Sequence, residues 1–207
     1  MALTLKQDFA PIIIVGHWNK YIFTQEWLTK LSWGQDIPMR IDIPLNLDAS
    51  AKINALDISI NTIGERLIFS TVKASTTTFN LIQNKAIEIC RLLSQTPISS
   101  FGLNILLDCP IEEVDLEKTG LHMNFGDNIV NSITRTFNLK DCVLTLTISQ
   151  HDELCRFDCN FHYQVSNIGT LIDICSEEIL LDKKNTYAND FISENFLKPE
   201  CNDRQSK

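Results

Sequence analysis

The sequence predicts an α+β fold of two layers, an antiparallel meandering sheet whose apolar face is covered by amphipathic helices. Three observations predict it. Apolar and polar residues alternate through several segments, the period of a half-buried strand. Two longer stretches repeat their apolar residues at three and four, the period of a helix lying on a core. The order of three strands then a helix occurs twice, at about 39–94 and 132–196, and reads as an internal duplication of one unit with little identity between copies. A sheet with one apolar face needs a cover, and such helices supply it.

In chain order, the run "PIIIVG" predicts a buried strand over 11–16, ended by Gly16. A helix follows over about 24–33, with Thr24 as its cap, Glu26 in the first turn where the dipole favours an anion, and Gly34 to stop it. Trp27, Leu28 and Leu31 share one face of that helix. In "MRIDIPLNL", Met39, Ile41, Ile43, Leu45 and Leu47 alternate with Arg40, Asp42, Pro44 and Asn46, the pattern of a strand. Pro44 cannot donate to a ladder, which places that strand at a sheet edge. "LDISI" (56–60) and "RLIFSTV" (66–72), joined by a turn at "NTIGE", complete a three-strand meander.

Phe79, Ile82, Ala86, Cys90 and Leu93 then predict a helix over 77–94, capped by a threonine among 76–78 and followed by Pro97. "FGLNILL" (101–107) is a strand with Phe101, Leu103, Ile105 and Leu107 on one side. Residues 109–131, acidic at first in "IEEVDLEKTG", form a loop with a short helix. They link pseudo-repeat halves at about 39–108 and 132–196 within a single domain of 1–207. "SITRTFNL", "CVLTLTISQ" and "LCRFDCNFHYQV" give three further strands, with tight turns at Lys140–Asp141 and at 150–153. Ile168, Leu171, Ile172, Cys175 and Ile179 mark a last helix that reaches Phe196 with a break near Asn185, and the tail from Lys198 frays.

The bulk properties bound the function. A fold of 207 residues buries roughly 70% of the surface its unfolded chain exposes, so no staples are needed. The net charge of −8 is spread along the chain, which argues against phosphate backbones and anionic lipid as direct partners and suits either simple solubility or a basic protein. Seven cysteines at 90, 109, 142, 155, 159, 175 and 201, with no CxxC pair and no glycosylation sequon, suit free thiols in a reducing cytosol. The "PIIIV" run is too short for a signal-peptide core and no 18-residue apolar stretch exists, so a cytoplasmic protein away from membranes is expected.

The stretch "CRFDCNFHYQV" raises the question of a metal. On a strand, Cys155, Phe157, Cys159, Phe161 and Tyr163 point to one face, and Arg156, Asp158, Asn160, His162 and Gln164 to the other. His162 therefore faces away from both thiols, and no metal is assigned. The polar stripe continues on the neighbouring strand through Thr145, Thr147 and Ser149. It is either merely solvated or receives a partner or small ligand. Asp158 and His162 share that face but sit about 13 Å apart along a strand, too far for a direct acid-base pair.

Phosphate-loop, dinucleotide, GxSxG and HExxH motifs are absent, and the histidines at 17, 122, 151 and 162 are dispersed. No catalytic residue and no cofactor is assigned. In "GHWNKYIF" (16–23), His17, Trp18, Asn19 and Tyr21 crowd a strand-to-helix connection; they either anchor a partner or close the end of a small core, with Asn19 bonding the local backbone.

The segments "IIIVGHWNKYIFTQEWL", "LSQTPISSFGLNI" and "RFDCNFHYQV" resemble a sporadically distributed family of uncharacterised bacterial proteins without an assigned activity. The resemblance covers most of the chain through hydrophobic, structural motifs. It implies a bacterial origin and one duplicated α+β unit, and carries over no site residue. The expected function is a non-enzymatic intracellular accessory subunit, immunity-like in kind, that offers a sheet face or edge to a protein partner or to its own copy. The alternative is an enzyme or small-molecule sensor with a pocket lined by the polar face of strand 154–165 and by His17. The binding residues named by these readings are Arg156, Asp158, Asn160, His162, His17, Trp18 and Asn19.

Overall fold

The computed structural model describes residues 3–33, 37–44, 50–121, 124–125 and 128–199. The strands are β1 (Thr4–Leu5), β2 (Phe9–Gly16), β3 (Arg40–Asp42), β4 (Lys52–Ala55), β5 (Ile58–Ile63), β6 (Arg66–Thr71), β7 (Ile98–Pro110), β8 (Asn124–Phe125), β9 (Asn128–Ile129), β10 (Ser132–Asn138), β11 (Val143–His151) and β12 (Leu154–Gln164). The helices are α1 (Gln25–Leu28), α2 (Thr76–Leu92), α3 (Leu116–Thr119), α4 (Ile168–Cys175) and α5 (Leu180–Phe196).

The fold is α+β around one large, open, antiparallel sheet in the order β10-β11-β12-β7-β2-β6-β5-β4-β3. β1 pairs with β7 at Leu107 and Asp108, beyond the stretch where β2 does so, and β8 and β9 pair separately with each other. β6 and β7 are both antiparallel to β2, which lies between them, so β6-α2-β7 is a split crossover between parallel strands. Alternation along the strands puts apolar side chains in register across the sheet. One row runs Ile53, Ile60, Phe69, Ile12, Leu103, Phe161, Leu144 and Phe137, from β4 to β10.

Helices lie against these rows. α2 contacts β2 and β6, α5 contacts β7 and β12, and α2 touches α4 and α5. Ring contacts tie the elements together: Phe9 to Phe79 at 6.2 Å, Phe157 to Phe196 at 6.2 Å and Phe161 to Tyr187 at 5.9 Å. Fully burying one such phenylalanine contributes about 1.5–3 kcal/mol, and Phe69, Phe101, Phe157 and Phe161 are all fully buried. Asn104 and β2 show how the sheet absorbs an irregularity. β2 carries one extra residue between Phe9 and Ile12 at Ala10-Pro11, and Asn104 Nδ2 donates to the Ala10 carbonyl at 2.8 Å.

Several boundaries differ from those the sequence predicts. The helix expected over 24–33 is a single turn, α1, although Thr24 caps it as expected by accepting from Trp27 N at 3.2 Å. The chain beyond is held by tertiary bonds instead: Trp33 Nε1 donates to Leu28 O at 2.9 Å, Lys85 Nζ to Ser32 O at 2.5 Å, and Ser32 N to Glu88 Oε1 at 2.7 Å. Gly34 lies outside the described residues. The strand predicted over 39–47 is only β3; Pro44 falls two residues past its end, and Leu45, Asn46 and Leu47 lie outside the described residues. β3 is nevertheless the terminal strand, as the proline suggested.

β4 escapes the sequence pattern, and so does the turn after it, where Leu56 and Asp57 take φ of 51° and 64°. A tight hairpin turn demands positive φ at both central positions, and neither residue advertises it as Asn-Gly would. The cap of α2 is Ser75, one residue before the predicted threonines; Thr78 completes a capping box by accepting from Ser75 N at 2.9 Å. The last helix breaks at 176–179, earlier than Asn185. There Gln83 of α2 donates to the carbonyls of Cys175 and Glu177, both at 2.7 Å, and Ile179 takes φ 51°. A side chain 92 residues away thus ends α4.

Candidate functional site

The polar stripe of β12 lies on the sheet face away from the α2 and α5 contacts, in the alternation the sequence predicts. β7 turns out to be its partner. Arg156 Nε and Nη2 donate to Asp108 Oδ1 and Oδ2 at 2.8 and 3.0 Å, a bidentate pair with both side chains about four-fifths covered. Asn160 Nδ2 donates to Asn104 Oδ1 at 2.5 Å. Gly102, opposite His162, makes room for that amide, since a Cβ there would stand 2.7 Å from Asn160 Nδ2. Asp158 is half-buried between Leu106 and Thr147, and burial pushes its carboxyl above the ordinary range while neighbouring Arg156 pulls it back in part. Arg156 and Asn160 are thus already engaged within the sheet.

The loop residues separate into different roles. Trp18 is buried, donates its Nε1 to Ile14 O at 3.1 Å and packs edge-on against Phe23. It closes the core. Asn19 Oδ1 accepts from Tyr21 N at 3.1 Å, a local turn bond. His17 stands at the surface, 4.0 Å from Glu65 Oε1, beside a hollow of about 370 Å³ that also involves Leu93 and Pro97. A second hollow, of about 520 Å³, lies at the β3–β6 end of the sheet and is lined by Arg40, Asn54, Ser59 and Ser70 among others. No residue of 156–162 lines either hollow. His122 lies outside the described residues, as does Cys201. Cys155 and Cys159 face the core and His162 the opposite side, and among the described residues no group of three acidic, histidine or cysteine side chains is placed to hold a metal.

The sheet has two edges, β3, which Pro44 foretold, and β10, which the sequence did not identify. β3 is three residues long, carries Arg40 and Asp42 bonded to each other at 2.7 Å, and is flanked by Pro38 and Pro44. Short length, charge and proline are the devices that keep an edge from pairing. β10 is less guarded: it is seven residues long, "SITRTFN", with no proline and no carboxylate, and its one charge, Arg135, is drawn to the core side. Leu139 N donates to Cys142 O and Gln150 N to Asn131 O, at 2.9 and 3.0 Å, so the odd-numbered residues of this strand bond to β11. Ser132, Thr134, Thr136 and Asn138 therefore turn their N–H and C=O groups outward. These four residues are exposed, and among the described residues only β11 pairs with β10. The sequence shows a run without proline or carboxylate, but nothing local said that this strand would be terminal.

Comparison of the chain with protein-family models and with curated proteins finds no match.

Proposed function

We propose that this protein is a non-enzymatic protein-interaction or accessory subunit that engages a protein partner through its sheet, with the outer edge of β10 as the docking strand. The observation that carries this reading is the contrast, in one sheet, between a short, proline-flanked, charged β3 edge and a longer, proline-free β10 edge whose one charge is held by its own chain. The open face beside that edge extends the surface: Thr134 and Thr147 hydroxyls bond across β10 and β11 at 3.0 Å, and the neighbouring rows are threonine and serine. A bacterial, cytoplasmic setting belongs to the same proposal, supported by the resemblance in sequence and by thiols left free at six buried positions. Among the described residues no helix is long and apolar enough to cross a membrane.

The finer architecture is part of this reading. Two layers, with helices over one face only, are supported by the contacts of α2 and α5 with the apolar rows, and a duplication by the recurrence of β4-β5-β6-α2 as β10-β11-β12 followed by α4 and α5. The experiment is a pull-down of tagged protein from its native host at low and high salt, comparing wild type with Thr136→Pro. A stoichiometric protein recovered by wild type and lost with the variant is the expected result. Equal recovery by both would remove β10 from the interface, and an empty pull-down would turn attention to a ligand held by the 156–162 face.

A further inference from the structure

We infer that the strand seated on β10 is β10 of a second copy, paired antiparallel about a two-fold axis at Thr136, so that two sheets become one. This deepens the docking-edge reading above and rests on it. Charge first narrows the choice of occupant. The chain carries −8, yet the open face of β10 and β11, through Ser132–Asn138 and Val143–Ser149 at alternating positions, bears no charged side chain. Two copies with the same net charge meet with least repulsion across such a strip, whereas a basic partner would find its complement elsewhere.

The apolar side argues the same way. The core rows end on β10, where Phe137, Ile133 and, just beyond, Leu139 remain only half-buried, and among the described residues no further strand pairs beyond them. The register about Thr136 sets Thr136 opposite its own copy, Thr134 opposite Asn138, Ile133 opposite Leu139 and Arg135 opposite Phe137. It brings β-branched and polar residues together on one face, and on the other Ile133, Phe137 and Leu139 with Arg135 among them. It also keeps the two arginines from facing each other. Each Arg135 is held within its own chain, donating Nη2 to the Lys118 and Thr119 carbonyls at 2.9 Å and lying 5.5 Å over the Phe196 ring. The outward N–H and C=O groups of Thr134, Thr136 and Asn138 gain strand partners that they do not have among the described residues.

An interface built on one strand is smaller than the roughly 20–30 residues a side of a standard complex, so dissociation in the range of about 1–100 µM is expected. Light scattering after size exclusion, from about 5 to 500 µM, brackets that range. Wild type should pass from monomer to dimer, and Thr136→Pro should stay monomeric with an unchanged circular-dichroism spectrum. Because its N–H points outward, proline there removes no bond to β11; Thr136→Lys serves the same purpose if the proline variant misfolds. In the inferred register Thr136→Cys should give a covalent dimer under mild oxidation, reversed by reductant, with wild type treated alike as the control. A wild type that stays monomeric to the highest concentration, or a dimer indifferent to all three substitutions, would overturn the inference. If wild type is monomeric but Thr136→Pro still abolishes capture of a different protein from the native host, self-pairing alone fails. If capture is also unchanged, the docking-edge reading fails with it.

Discussion

Lys85 shows how much one buried side chain settles. It is almost fully covered, bonds Ser32 O and Glu88 Oε2 at 2.5 and 2.7 Å, and lies 4.8 Å over the Trp33 ring. Replacing it by Met should cost about 3 kcal/mol, seen as a lowered urea midpoint, because Glu88 and the Ser32 carbonyl lose their shared cation. Asp158 predicts the opposite sign. Burial raises its pKa on folding, so the unfolded chain ionises first and stability falls as pH climbs past the ordinary value of 3.8. Asp158→Asn removes that penalty. Its urea midpoint should exceed that of wild type at pH 7, with the gap closing as pH falls toward 4; a less stable variant at pH 7 would mean the Arg156 attraction outweighs burial. The facing of every β12 side chain was legible from period two alone. That Arg156 binds Asp108 was not, because the partner lies 48 residues away on a strand the sequence does not pair.

At the scale of elements, α2, β11 and β12 were legible because their signals are local: a capping serine or threonine, a 3.6 period, an unbroken alternation. The failures share a cause. α1 stops after one turn because Lys85, Glu88 and the Trp33 indole compete for the polar groups that would extend it, and α4 stops where Gln83 takes its last carbonyls. The β4–β5 turn hides because Leu56 adopts positive φ, which its side chain disfavours, and Asp57 beside it is only a weak signal for such a turn. Leu56→Asn should therefore stabilise the protein by about 0.5–1 kcal/mol, measured as a rise of roughly 1–4 °C in Tm, since Leu56 is already exposed and little burial is lost.

For the whole molecule, burial decides the chemistry of the thiols. Cys90, Cys155, Cys159 and Cys175 are pushed up to about 12 by burial, and Cys109 to about 11 by burial with Glu113 nearby. Peptide mapping after treatment with a thiol reagent at pH 8 should leave all five unmodified in the native protein and modify all five in denaturant. Modification of any of them without denaturant would reveal local opening at that element. By itself the sequence determined which residues of β7, β11 and β12 face the core, where α2 forms and that three strands follow one another before the last helical region. Those depend on period and on contacts within a few residues. Only the tertiary structure decided that β7 and β2 occupy the middle of the sheet and that β10, long and without proline, closes the end opposite β3. Strand order is set by pairings between distant segments, each competing with others of similar apolar pattern, and no local signal ranks them.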